Sequence, residues 1–167
     1  MNFRKTTIED INNIMNIINE AKEYFKKNRI NQWQDGYPNS DTIYTDIKNN
    51  SSYVLESENK ILATAMVSFK EDKTYKNIYN GQWLNNGDYA VIHRIAVSEK
   101  VKGNGIASAI IKEVEGLCKE NGVTSIKIDT HKENISMQKL LEKNAFKYCG
   151  IIYLEDGSER IAFEKLI

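Results

Sequence analysis

Tyr89-Ala90-Val91-Ile92-His93-Arg94-Ile95-Ala96-Val97-Ser98-Glu99-Lys100-Val101-Lys102-Gly103-Asn104-Gly105-Ile106-Ala107 is the stretch on which the reading turns. Its first part, Tyr89 to Val97, is apolar except for His93-Arg94. That length and β-branched content favour a central strand over a helix. From Ile106 the period changes: Ile106, Ala107, Ile110, Ile111, Val114, Leu117 and Cys118 fall on one helical face. Asn121-Gly122 supplies the stop. The join between strand and helix carries Gly103 and Gly105. Two glycines let the backbone turn sharply and approach a ligand with no Cβ in the way. The following helix aims its free N–H groups and positive dipole end at the same spot. Lys100 and Lys102 add charge beside it. A pyrophosphate fits that electrostatics; a tight turn with no ligand is the other reading of the same glycines. Gly-Lys-Ser/Thr is missing, so this is not a Walker loop, and Ser108 stands at the third glycine of a dinucleotide fingerprint. A nicotinamide-dependent oxidoreductase is therefore disfavoured.

Working outward toward the N-terminus, Phe3 and Lys5 fit a short first strand. Thr7-Ile8-Glu9-Asp10 reads as a helix start, with Ile11, Ile14, Met15, Ile18 and Ala21 at helical spacing to about Lys27. Asn31 to Asn39 is a loop rich in aromatics and amides, and Ser40-Asp41 is expected to cap a short helix through Ile47. Ser52–Glu56 and Lys60–Phe69 read as a hairpin turning at Asn59-Lys60. Tyr75 to Asp88 is polar and irregular. Toward the C-terminus, Ser125–Thr130 reads as a strand and Asn134–Lys143 as a helix stopped at Asn144. Phe146–Leu154 and Glu159–Leu166 follow as strands, joined by Glu155-Asp156-Gly157-Ser158, a hairpin signal. The order β-α-α-β-β-β-α-β-α-β-β is that of an α/β domain around one mixed sheet, and residues 1–167 read as a single domain.

The 23 basic and 23 acidic residues cancel, which argues against a nucleic-acid partner held by bulk charge. No apolar run approaches a membrane span, and no apolar segment follows the N-terminus as in a signal peptide. A cytoplasmic protein with no membrane partner is expected. Cys118 and Cys149 are too few for a disulfide framework and read as small buried hydrophobes. With His93 and His131 they show no metal-site spacing, so no metal is expected.

Together these features resemble the GNAT family of N-acetyltransferases, which use acetyl-CoA. The family's pyrophosphate motif, Gln/Arg-x-x-Gly-x-Gly/Ala, is matched by Lys100-Val101-Lys102-Gly103-Asn104-Gly105. The resemblance extends over His93–Val97, the helix Ile106 to Cys118, Asn134, and Leu140-Leu141-Glu142-Lys143-Asn144-Ala145-Phe146. It implies an α+β fold, a single mixed and mainly antiparallel sheet flanked by helices. It implies acetyl-CoA (coenzyme A) as the cofactor, held by Ile95, Ala96, Val97, Lys100, Lys102, Gly103, Asn104, Gly105, Ile106, Ala107 and Asn134. The backbone of Ile95 and Val97 would pair with the pantetheine arm. Three departures stand out: Lys100 for Gln or Arg, Ala145 for the glycine before Phe146, and Leu141 where many members carry a tyrosine acid.

The reaction so implied is direct acetyl transfer to a primary amine of a small molecule or protein. The amine must first lose a proton, since a lysine-like amine has a pKa of about 10.4. His93 is the leading candidate base, two residues before Ile95; the other reading is a histidine bonded within the core. His131, at the end of a strand, is the second candidate, against a loop-capping role. Tyr153 and Tyr148 are available as acids in place of Leu141, against plain sheet packing. Asn134 could hold the cofactor arm or cap a helix. Trp33 and Tyr37 are the acceptor-site candidates, against a lid packed on the first helix. The alternative function is a non-catalytic acyl-CoA-binding module, motivated by Leu141 and Lys100. The C-terminal hairpin edge could pair with a second copy as a homodimer.

Overall fold

A computed structural model describes every residue, Met1–Ile167. The periodic segments become β1 (Asn2–Lys5), α1 (Ile11–Lys27), α2 (Ser40–Lys48), β2 (Ser52–Ser57), β3 (Lys60–Ser68) and β4 (Ala90–Val97). They continue as α3 (Ile106–Glu120), β5 (Ser125–Thr130), α4 (Ile135–Lys143), β6 (Lys147–Tyr153) and β7 (Glu159–Leu166). The seven strands form one sheet in the order β1-β2-β3-β4-β5-β7-β6. Pairing is antiparallel for β1/β2, β2/β3, β5/β7 and β6/β7, and parallel for β4/β5. This is the expected mixed, mainly antiparallel sheet with helices. No helix is long and apolar enough to cross a membrane.

By internal contacts the chain divides into two compact units. The first comprises Met1–Val67 with Arg94–Glu113. Its core gathers Ile14, Ile17 and Ile18 of α1, Ile43 of α2, Val54 of β2 and Ala96 of β4. Each large aliphatic side chain buried there contributes about 1.5–3 kcal/mol. The second comprises Ser68–His93 with Val114–Ile167. Its core includes Tyr75, Val91, Ile152 and Ala162.

Local chemistry explains the boundaries. The N–H and Oγ1 of Thr7 both donate to Asp10 Oδ2, at 2.8 and 3.1 Å, and a 3-10 turn over Ile8–Asp10 leads into α1. Expectation and structure differ at α2: the cap is Asn39, not Ser40-Asp41. Asn39 Oδ1 accepts from the Thr42 N–H at 3.0 Å, and Thr42 Oγ1 accepts from the Asn39 N–H at 3.2 Å. The β2–β3 turn likewise falls one residue earlier than expected. Glu58 and Asn59 carry φ of 50° and 61°, the signs a two-residue primed turn needs, and Lys60 already pairs with Ser57.

The irregular stretch before β4 is anchored rather than loose. Tyr75 is fully buried, and Trp83 Nε1 donates to its carbonyl at 2.8 Å. Tyr79 exchanges two backbone bonds of 2.8 Å with Ile151. The Leu84 N–H donates to the buried Glu164 carboxylate at 2.6 Å. Lys127 Nζ lies 4.3 Å from the Trp83 ring centroid and 4.0 Å from that of Tyr89, which offsets part of the cost of burying the ammonium. Both cysteines are buried and free, and burial pushes the Cys118 thiol up to about 11.

Candidate active site

In the first unit, β4 delivers the chain into the glycine join. A 3-10 turn over Glu99–Val101 intervenes, and α3 begins at Ile106. Gly103 and Gly105 have φ of 81° and 76°, and a Cβ built on either would meet nothing within 4 Å. So neither glycine is there to avoid a neighbour in the protein; the open side of the loop faces free space. Within the join, the Lys102 and Asn104 N–H groups bond back to Glu99 and Val101, while those of Gly103 and Gly105 do not. The first N–H groups of α3 are also without intrahelical acceptors by construction. Lys100, Lys102 and Asn104 are exposed, and Lys102 Nζ sits 4.6 Å from the Tyr24 ring centroid. The loop therefore offers backbone donors, a helix dipole and two ammonium groups to an anion. These residues fit a pyrophosphate.

Arg94 interrupts β4 with φ of 52°, a conformation costly for a non-glycine residue. Its guanidinium holds Asp46 of α2 and donates through Nη1 to Tyr37 Oη at 2.6 Å. Tyr37 is thereby fixed while its ring stays exposed. Trp33 instead packs edge-on against Phe25 of α1, with centroids 5.5 Å apart, and joins the core of α1 and α2. Trp33 is thus packed on the first helix, and Tyr37 is not.

In the second unit, His93 sits in a network that the sequence did not suggest. Its Nε2 lies 2.7 Å from Asp72 Oδ2, and its Nδ1 lies 3.9 Å from Asp129 Oδ2. Tyr75 Oη donates to Asp129 Oδ2 at 2.7 Å. Thr74 donates to Asp72 Oδ1 through N–H and Oγ1, at 2.9 and 2.7 Å. The Asp72 N–H donates to Tyr89 Oη at 3.0 Å. Burial pushes the Asp72 carboxyl up, but the bonds from His93 and Thr74 outweigh it and hold the acid at about 2. Burial, with the neighbouring Asp129 charge, keeps the Tyr75 phenol protonated far above its usual range.

A profile of the acetyltransferase (GNAT) family matches residues 12–146. The chain belongs to the GNAT acetyltransferase family.

A GNAT-family acetyltransferase from Streptococcus agalactiae is 33% identical, with a TM-score of 0.89, over 99% of this chain and 95% of that one. A PaiA N-acetyltransferase from Thermoplasma acidophilum, solved with coenzyme A, shares 14% identity and a TM-score of 0.73 over 99% and 98%. A ribosomal-protein-alanine N-acetyltransferase from Brucella melitensis shares 16% and 0.72 over the full length of both chains. The last two likenesses are likenesses of fold. Among functionally curated proteins, none matches the chain.

The remaining candidates of this GNAT chain take different places. His131 Nδ1 accepts the Glu133 N–H at 3.1 Å, a loop-capping bond, and burial together with Arg160 draws its pKa below the usual value. Asn134 is buried at the head of α4, where its Oδ1 accepts the Met137 N–H at 3.2 Å. Tyr153 is exposed and stacks edge-on with Tyr79 at 5.4 Å; Tyr148 is exposed beside Phe163 at 5.8 Å. Leu141 is completely buried, so its position serves the core. Asp72, Tyr75 and Asp129 were missed. The one local signal was Asp72-Lys73-Thr74, an aspartate followed two residues later by threonine, which marks a bonded turn.

Proposed function

We propose that this protein is a single N-acetyltransferase-like domain over residues 1–167. It transfers the acetyl group of acetyl-CoA to a primary amine of a small molecule or protein. The observation that carries the reading is the loop at Gly103 and Gly105, at the head of α3: a Cβ on either glycine would meet open space, and neither N–H makes a backbone bond. Gly103, Asn104, Gly105, Ile106 and Ala107 would bind the pyrophosphate through backbone N–H groups, with Lys100 and Lys102 supplying charge. The backbone of Ile95, Ala96 and Val97 would align the pantetheine arm, and Asn134 would contact it while capping α4. Acetyl-CoA supplies the thioester: a C–N bond forms, the C–S bond breaks, and the sulfur leaves with its electron pair to become a thiol.

The chain's own residues manage the amine. His93 takes its proton, Tyr37 and Trp33 shape the acceptor side, and His131 and Tyr153 stand as secondary acid–base candidates. With Leu141 in the core, the departing sulfur takes its proton from solvent or an exposed tyrosine; a thiol pKa of about 8.5 makes it a tolerable leaving group.

Calorimetric titration with acetyl-CoA, using NAD as control, tests the cofactor. A thiol-release assay over an amine panel then tests turnover. Saturable acetyl-CoA binding with amine-dependent thiol release is expected. Binding with no release from any amine would leave a non-catalytic acyl-CoA-binding module, and no binding would overturn the proposal.

A further inference from the structure

His93 has its proton placed for it. Asp72, held ionised at about 2, can only accept hydrogen bonds, so the 2.7 Å contact puts the imidazole proton on Nε2. The Asp72 carboxylate cannot swing away, because Thr74 donates twice to its other oxygen. In a neutral ring the lone pair is then on Nδ1. Nδ1 faces Asp129 Oδ2 at 3.9 Å, too far for a direct hydrogen bond. Two acceptors thus confront each other across a gap. Asp129 is itself fixed, since the buried Tyr75 hydroxyl donates to the same Oδ2. A group that satisfies both must bring two hydrogens on one atom and fit about 2.8–3.0 Å from each. Water meets that geometry too, but only an ammonium also neutralises the carboxylate. The His93 side chain is 25% exposed and that of Asp129 10%.

We propose that the acceptor is an aliphatic primary amine, bound as its ammonium between Nδ1 of His93 and Oδ2 of Asp129, with Asp72 as the positioning residue that keeps Nδ1 unprotonated. This rests on the acetyltransferase reading and narrows its substrate class. The ammonium gives one proton to Nδ1, and its N–H bonding pair becomes the lone pair of the free amine. The positive charge moves onto the ring, now protonated on both nitrogens between Asp72 and Asp129. A second amine hydrogen stays directed at Asp129. The ring later returns the proton to solvent.

The test is nitrogen NMR of the two histidines, with His93 assigned by comparison with His131→Gln. The probe is n-butylammonium, with n-butanol as its uncharged counterpart. The free wild-type protein should show the Nε2–H form of His93. The amine should shift His93 Nδ1 saturably and the alcohol should not. Asp129→Asn should weaken that response by about tenfold or more, a loss of roughly 1.4 kcal/mol. Asp72→Asn should remove the tautomer preference and lower kcat while leaving the amine KM within about twofold. An Nδ1–H form in the wild type, or equal responses to amine and alcohol, would overturn the inference without recourse to any variant. Wild-type turnover with an unchanged amine KM in a folded Asp129→Asn would overturn it while sparing the acetyltransferase reading. An amine response in a protein that binds no acetyl-CoA would overturn the acetyltransferase reading, and with it the acceptor role, while sparing the ammonium site between His93 and Asp129.

Discussion

Arg94 grips Asp46 with two bonds in parallel, Nε to Oδ2 at 2.8 Å and Nη2 to Oδ1 at 2.6 Å. Both side chains are nearly buried, at 12% and 8% exposure. The pair fastens α2 to β4 at the residue whose φ of 52° breaks the strand's regularity, and the third nitrogen holds Tyr37. Geometry of this kind matters most when half of it is removed. Asp46→Asn leaves a buried guanidinium without its counter-charge and should cost about 3–5 kcal/mol, read as a fall in urea midpoint. Replacing both partners by apolar residues, Arg94→Met with Asp46→Leu, should cost clearly less than the single change. Equal losses in the two would show that the pairing is not what holds this corner.

Asp72 makes stability depend on acid. Its carboxyl is held at about 2, below the ordinary 3.8, with burial opposing and the His93 and Thr74 bonds prevailing. A depressed carboxyl stabilises the fold fully above the unfolded value and loses that stabilisation as pH falls through the folded one. The window is therefore about pH 4 down to about pH 2, and nearly two units correspond to about 2 kcal/mol. Asp72→Asn should remove that part of the acid sensitivity. Urea unfolding of both proteins at mildly acidic pH and near pH 2 measures it, and identical acid dependence would refute the assignment.

Ala145 ends α4 in the left-handed region, with φ of 64°. Around it the helix closes as a Schellman motif: the Phe146 N–H reaches the Leu141 carbonyl and the Ala145 N–H that of Glu142, both at 3.0 Å. Glycine accepts this conformation without the clash that a Cβ makes with the carbonyl. Ala145→Gly should therefore stabilise the protein by about 1 kcal/mol, raising the thermal midpoint by a few degrees. The sign is informative, because glycine in ordinary backbone lowers stability.

What could be read in advance was whatever repeats over a few residues. The α1 and α3 faces, the β4 run, the Asp156-Gly157 hairpin and the glycine join all carry their signal within one turn or one strand. The errors were local too: Asn39 and Ser40 are both good cap formers, and only the extended backbone of Asn39, φ −129°, decides between them. The site was less legible because its bonds span long separations. Asp72 lies 21 residues before His93, and Asp46 lies 48 before Arg94. No periodicity links such pairs; the fold makes them. Tyr75 was hidden differently, as a fully buried aromatic in a stretch whose composition is that of a surface loop.

Two glycines of the same region separate cofactor binding from helix stability. Gly105 has φ of 76°, and Gly116 lies inside α3; neither would bring a Cβ within 4 Å of another atom. Gly116→Ala should stabilise by about 0.8–1 kcal/mol through helix propensity alone and leave acetyl-CoA affinity unchanged. Gly105→Ala should destabilise by about 1–2 kcal/mol, because an L-residue is forced into the left-handed region. If the open side of the loop receives the pyrophosphate, the new methyl also stands where the ligand must approach. Acetyl-CoA affinity should then fall by about tenfold or more, measured by calorimetry at a temperature where the variant remains folded. A Gly105→Ala protein that loses stability yet binds acetyl-CoA as tightly as the wild type would make this join a turn and nothing more.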